Sequence, residues 1–157
     1  VAVPTHAELA DHLVRQIDIR LVDPLEILLD DPLDDLRGRV HHRAGALATA
    51  LLDGDDPAAL HTAIRLYSSL HPGDGPFDPP VAWWRTPLGQ VIAARFGHPT
   101  AAGVSLPVAG AMLGISRQGV HDLVRRGKLD RHPDGGVTSA SIRDRLRTQP
   151  APPASRS

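Results

Sequence analysis

Along the first 70 residues, apolar side chains recur at steps of three and four, interrupted by proline. Thr5 and Glu8 stand at capping-box spacing, in which the Thr5 hydroxyl accepts from the Glu8 amide and the Glu8 carboxylate accepts from the Thr5 amide. Behind that cap, Leu9, Leu13, Ile17 and Leu21 form an i, i+4 stripe, which predicts a helix ending near Leu21. Asp23-Pro24, Asp31-Pro32 and Asp56-Pro57 each pair an N-cap acceptor with a proline whose missing N–H costs nothing in a first turn, so three further helices are expected. The third of the four, residues 32–52, carries Leu33, Leu36, Val40, Ala44, Leu47 and Leu51 as a narrow seam suited to a partner helix. The fourth, residues 57–70, has Leu60, Ile64 and Tyr67 on one face and Ala59, Ala63, Leu66 and Leu70 beside it. So broad an apolar surface needs cover from more than one side.

Residues 71–80 are rich in Gly, Pro and Asp and read as a loop. Thr86-Pro87 opens another helix, with Leu88, Val91, Ile92 and Phe96 on one face and Gly97 closing it. Trp83 and Trp84 just before it are expected to anchor this helix to the preceding bundle. The organisation that follows is a helical bundle over 1–97, a linker over 98–104, a second domain over 105–148, and a proline-rich tail over 149–157 expected to be disordered.

The second domain has the denser pattern. Pro107 opens a short helix, Ala109 and Gly110 are small where another helix must cross, and Met112 and Leu113 fill a core. Gly114 is placed for a sharp turn, Ile115 points back inward and Ser116 caps the next helix. On that helix Val120, Leu123 and Val124 lie at i, i+3 and i+4 and face in. At about 100° per residue, Gln118, His121, Asp122 and Arg125 fall opposite them, with Arg117 and Arg126 on the flanks. Arg forks guanine O6 and N7, Gln forks adenine N6 and N7, and Asp accepts from cytosine N4, so this face suits a major groove. Ser116 and Arg117, near the positive end of the helix dipole, are placed for phosphate. Lys128 to His132 and Val137-Thr138, around Asp134-Gly135-Gly136, predict a two-stranded hairpin whose Lys128 and Arg131 touch backbone or minor groove. Thr138 or Ser139 then caps a last helix with Ile142 and Leu146 inward and Arg143, Arg145 and Arg147 outward.

Charge changes the picture more than composition does. The chain carries a net charge of -1, yet residues 1–104 hold 8 basic against 14 acidic side chains and residues 105–157 hold 9 against 4. Such segregation places an electrostatic footprint for phosphates at one end of the chain. With no cysteine there is no disulfide, thiolate metal site or thiol nucleophile. The apolar runs are far too short for a membrane span, and no basic-then-apolar leader opens the chain, so a cytoplasmic location is expected. Nine histidines invite a metal reading, but His41 and His42 are adjacent and diverge on a helix, and no set has a ligand spacing. Asp30, Asp31, Asp34 and Asp35 surround a helix start, where they compensate its dipole. No cofactor and no catalytic group are expected, and the chain reads as a non-enzyme.

Residues 106–146 resemble the MerR-type and excisionase-like winged helix-turn-helix domains. The likeness runs through a small-small-x-Leu-Leu-Gly-Ile-Ser-Arg-x-x-Val-x-x-Leu pattern, then Arg-x-Gly-x-Leu, then a glycine-turn hairpin. Met112 takes the first leucine-like place, and His121 stands where an aromatic hydroxyl is common. In that family the helix that begins at Ser-Arg reads DNA and the wing supports it. Carried over, this implies roles for Arg117, Gln118, His121, Arg125, Lys128 and Arg131. The expected fold is mainly α, an N-terminal helical bundle followed by a small winged helix-turn-helix domain with a two-stranded β-hairpin wing. The expected function is sequence-specific binding of double-stranded DNA by a nucleoid-associated regulator, through residues 116–126 and as a homodimer through its bundle. The alternatives are an architectural, excisionase- or segregation-type factor that assembles cooperatively on DNA, and an antitoxin-like autoregulator whose bundle binds a partner protein.

Overall fold

A computed structural model describes residues 3–148. The chain is mainly helical, and the described residues hold one two-stranded antiparallel sheet. It divides into two compact units, one over Pro4–Pro76 and one that begins at Phe77. The tail expected over 149–157 lies outside the described residues.

In the first unit, Thr5 and Glu8 close the expected capping box, at 3.2 Å for Glu8 N to Thr5 Oγ1 and 2.8 Å for Thr5 N to Glu8 Oε2. Helix α1 (His6–Ile17) runs into a single wide turn over Asp18–Val22, where the Asp23 amide donates to the Asp18 carbonyl, and on into α2 (Asp23–Leu29). Asp23-Pro24 thus opens α2 as expected, with proline in its first turn, but Asp23 does not cap it and the backbone is already helical at Val22. The helical hydrogen bonds pass through, and Pro24 sits where the wide turn already lacks an i to i−4 bond. Chain reversal comes at Asp30, in the left-handed region at φ 51. Helix α3 (Asp34–Asp53) follows, with Leu33 rather than Asp31 at its N-cap. The Leu33 amide is satisfied instead by the Glu26 carboxylate at 3.0 Å. Helix α4 (Asp56–Leu70) is capped by Asp55, one residue before the expected position, through Ala58 N to Asp55 Oδ1 at 2.9 Å.

The core of this unit is built from Leu9, Leu13 and Ile17 of α1, Ala44, Ala48 and Leu51 of α3, and Ala59, Ala63, Leu66 and Leu70 of α4. Alanines at i and i+4 let α3 approach its neighbours closely. The expected seam on α3 is therefore split. Ala44 and Leu51 are internal core, whereas Leu36, Val40 and Leu47 open onto a groove. Leu60 and Ile64 of α4 are likewise only partly covered.

The second unit begins earlier than the boundary at 97 suggests. Phe77 meets Trp83 and Trp84 edge-on, and the two tryptophans lie in a 3-10 turn over Val81–Arg85. Helix α5 (Pro87–Phe96), capped by Thr86, is buried at every position from Leu88 to Ala94. A helix apolar all round belongs at a core rather than on a bundle edge. Here α6 (Leu106–Leu113) and α8 (Ser139–Thr148) pack near it. The buried Gln90 amide donates to the carbonyls of Trp84 at 2.6 Å and of Ala111 and Met112 at 3.3 Å, fastening the end of α6. Arg147, expected to face solvent, instead donates from Nε to the Ala94 carbonyl (3.1 Å) and from Nη2 to the Arg95 carbonyl (2.5 Å), in the last turn of α5.

The expected linker over 98–104 is ordered structure of this unit. His98 is buried, and its Nδ1 accepts from the amides of Thr100 and Ala101 at 3.2 and 3.0 Å. Burial lowers its pKa, against a smaller opposing effect of Asp78, and the neutral ring is the form that accepts these bonds. Strand β1 (Gly103–Val104) follows and pairs antiparallel with β2 (Val137–Thr138), Gly103 opposite Thr138 and Val104 opposite Val137.

Candidate nucleic-acid interface

Two short helices and one tight turn set up the exposed face. α6 ends at Gly114, at φ 70 and ψ 29, a conformation that costs a residue with a Cβ about 1–2 kcal/mol. Its neighbour Gly110 has no room for a side chain either, since a Cβ there would lie 2.8 Å from the Ile115 carbonyl. Ser116 then caps α7 (Arg117–Arg125) by accepting from the Gly119 amide at 3.0 Å. Its hydroxyl is thus already engaged with the helix start. Val120 is fully buried, while Leu123 and Val124, expected to face in, are only partly so.

The exposed side of α7 is organised by one carboxylate. Asp122 Oδ1 accepts from Arg125 Nη2 at 2.7 Å and from Gln118 Nε2 at 3.3 Å. The Arg125 side chain remains 77% exposed, so the carboxylate aims it without covering it. Asp122, expected as a reader of cytosine, is in this structure a bracket for the Gln118 and Arg125 side chains beside it. Arg117, Gln118, His121 and Arg126 are exposed on the same helix or at its end.

The hairpin differs from the one expected. α7 closes with the Lys128 and Leu129 amides both turned back to the Leu123 carbonyl, at 2.8 and 3.3 Å, and Leu129 is buried. Those residues are spent on ending the helix and cannot form a strand. The strand expected over 128–132 contracts to a single bridge between Arg131 and Val137, flanked by Thr138 N to Asp130 O at 2.9 Å and His132 N to Gly136 O at 3.1 Å. The turn itself is where the glycines put it: Gly135 and Gly136 take φ 102 and 76. The ordered strand partner of Val137-Thr138 is instead β1, which a two-residue segment without periodicity did not announce.

This short hairpin and α7 bound one cleft of about 740 Å³, lined by His121, Val124, Arg125, Leu129, Asp130 and Arg131. A smaller hollow adjoins it and reaches Leu106, Gly135 and Gly136. Three of the residues singled out from sequence, His121, Arg125 and Arg131, therefore converge although Arg131 lies on a different element. Arg117, Gln118, Arg126 and Lys128 are exposed outside the cleft. Asp130 is the lining residue that sequence reading passed over, because its place on the inner edge of the bridge depends on the hairpin pairing. The unit from residue 77 onward holds eleven basic against five acidic side chains, a net +6, and residues 4–76 hold six against thirteen, a net -7.

Among the described residues no group of three or more His, Asp and Glu side chains is placed to hold a metal ion, and no helix is long and apolar enough to cross a membrane. No family model, no curated protein and no solved structure matches this chain.

Proposed function

We propose that the chain binds double-stranded DNA through a winged helix-turn-helix built from residues 105–148, laying α7 in the major groove and the 130–138 hairpin against the backbone. It acts as a sequence-specific regulator on the nucleoid, with the acidic N-terminal unit holding two copies together. The observation that carries the reading is the convergence of Arg131 from the hairpin with His121 and Arg125 from α7 on one cleft, in a unit of net +6. A phosphate strand needs cations from two elements with a gap between them. Base edges need planar donors on an exposed helix, which Gln118 and Arg125 supply.

The test is selection of binding sites from random duplex DNA, followed by footprinting of the selected site and affinity measurements on variants. Arg125→Ala and Gln118→Ala should each cost about 1–3 kcal/mol at the preferred site and little on random DNA. Arg131→Ala and Lys128→Ala should weaken all sequences together and flatten the salt dependence by roughly one unit of slope each. Failure to enrich any sequence, with no salt-dependent binding to duplex DNA, would overturn the reading. Protection of direct repeats in place of paired inverted half-sites would move it to cooperative assembly along DNA.

A further inference from the structure

Helix α2 is an amphipathic helix the wrong way out. It buries no residue. Its polar side faces the protein: Arg37 of α3 pairs with Asp23 at 2.8 Å and Glu26 at 3.0 Å, and the other Glu26 oxygen accepts from the Leu33 amide. The side left to solvent is apolar, with Ile27 79% and Leu28 80% exposed, and Leu25 and Leu29 also exposed. A run of four large aliphatic residues on one exposed helix, followed by Asp30 and Asp31, is the composition of an interaction surface.

The same unit carries a groove of matching character. It measures about 770 Å³, its floor is Ile17, Leu36, Val40 and Leu47, and Arg39 and Arg43 stand exposed along it. Gly38 lines it with nothing within 4 Å of where a side chain would begin. Past Arg43 and Leu47 a smaller hollow continues to Arg65 and Leu66 of α4. No residue of α2 lines either part, so ridge and groove are separate surfaces of one unit.

We infer that α2 of one copy seats in the α3 groove of a second copy, reciprocally, closing a two-fold dimer through the N-terminal units. Charge complementarity commits the groove to this occupant. The ridge ends in Asp30 and Asp31, and the groove presents Asp34 and Asp35 at one end and Arg43 and Arg65 toward the other, with Arg39 between them. The acidic pair repels the acidic end of an incoming α2, which therefore points toward the arginines. That fixes one direction of docking and one register. Two such contacts related by a two-fold axis satisfy every ridge and groove, whereas a single unreciprocated contact would leave one of each open and propagate. The inference does not depend on DNA being the ligand.

Sedimentation of the full chain without DNA, across roughly 1–100 µM, tests it with two variants, Ile27→Asp on the ridge and Gly38→Glu in the groove. The wild type should be a dimer, and each variant alone should dissociate at a concentration at least about 30-fold higher. The two variants mixed should form a heterodimer that neither forms with itself, because the intact ridge of one meets the intact groove of the other. Position 38 is an open helix site where glutamate is a better helix former than glycine, and the far-UV signal of both variants should match the wild type. Arg43→Glu gives a second groove variant with the same expectation. A wild type that is monomeric throughout, a Gly38→Glu and an Arg43→Glu chain that still dimerise, or a mixture that stays apart would each overturn the inference. Open-ended assemblies of the wild type would overturn the reciprocal closure.

Discussion

Arg37 in the first unit and Arg125 in the second show what separates the two halves of this protein. Arg37 is shared among Asp18 at 3.0 Å, Asp23 at 2.8 Å and Glu26 at 3.0 Å, so its charge is consumed in tying α3 to the wide turn and to α2. These contacts raise the Arg37 pKa still further and lower that of Glu26, where the Leu33 amide contributes first. Arg125 has one carboxylate partner and stays largely in water. The first unit thus spends the charge of Arg37 internally and shows apolar side chains, from α2 to the α3 groove, among its exposed charged ones. The second buries its apolar side chains, down to a helix enclosed nearly all round, and shows charge. The exposed apolar ridge and groove of the first unit suit the packing proposed above, and the exposed cations of the second suit the proposed contacts to phosphate and base edges.

The sharpest way to break that comparison is to remove the interior of one unit alone. Gly136 takes φ 76, and a Cβ there would lie 2.0 Å from the Val104 carbonyl oxygen, a backbone atom of β1. Gly136→Ala combines left-handed strain with a clash that only separation of the strands relieves, so a loss of about 3–5 kcal/mol is expected. Trp83 and Trp84 both lie in this unit, so tryptophan fluorescence reports on it alone. The fluorescence transition in urea should shift down or vanish while a substantial far-UV helical transition from the first unit persists. A simultaneous loss of both signals would show that the units fold as one.

Several local signals in the sequence held because they are settled within a few residues, although the caps expected from Asp23, Asp31 and Asp56 did not form. The Thr5 capping box, the Thr86 and Ser116 caps, the turn at Gly114 and the glycine pair at 135–136 depend only on neighbours in the chain. What was not legible depends on partners far along it. The helix of residues 87–96 shows apolar positions whichever unit it joins, and only its burial from Leu88 to Ala94 and the bonds from Arg147 assign it to the second. β1 is too short to show alternation. The inverted α2 was hidden because Asp23 and Glu26 read as ordinary first-turn acids until Arg37, eleven or more residues away, is brought to them. In the candidate site, α7 was readable from its period, whereas its cleft with Arg131 required the fold of the hairpin.

Acid should weaken both units, through His98 in the second and through His12 and His71 in the first. His12 is buried in α1, and burial, reinforced by the charge of Arg15, lowers its pKa from 6.5 to about 4. The unfolded chain takes up this proton below pH 6.5 and the folded chain only near 4, so the contribution of His12 is complete above 6.5 and is lost as the pH falls through that window. The expected loss is roughly 2–3 kcal/mol between pH 7 and 4. His71, lowered by burial and then by Arg20, adds to it in the same direction. His12→Leu should flatten the pH dependence of the far-UV transition. An unaltered slope would place the acid sensitivity of the first unit elsewhere.

A smaller effect sharpens the contrast between the two arginines. If the Asp122 carboxylate aims Arg125 and Gln118, Asp122→Ala should release both side chains while removing a negative charge from the face proposed to meet DNA. Affinity for random duplex should rise slightly and affinity for the selected site should fall. The ratio of the two should narrow by about tenfold, or ~1.4 kcal/mol. Equal changes on both DNAs would limit Asp122 to a charge effect.

The smallest expected effect is a gain, and it depends on Gly45 differing in kind from Gly136. Gly45 lies within α3, is exposed, and has nothing within 4 Å of where a Cβ would stand. Its backbone is helical, so alanine fits without strain and reduces the freedom of the unfolded chain, for a gain of about 0.5–1 kcal/mol. The same chemical change that dismantles the second unit at Gly136 should therefore raise the urea midpoint of the far-UV transition at Gly45, and leave the tryptophan transition where it was. Gly45 also lies outside the groove residues, so the dimerisation constant should not move. A destabilisation at Gly45 would mean that a surface packs closely there in the assembled protein, and would extend the interface around α3 to the face that carries Gly45.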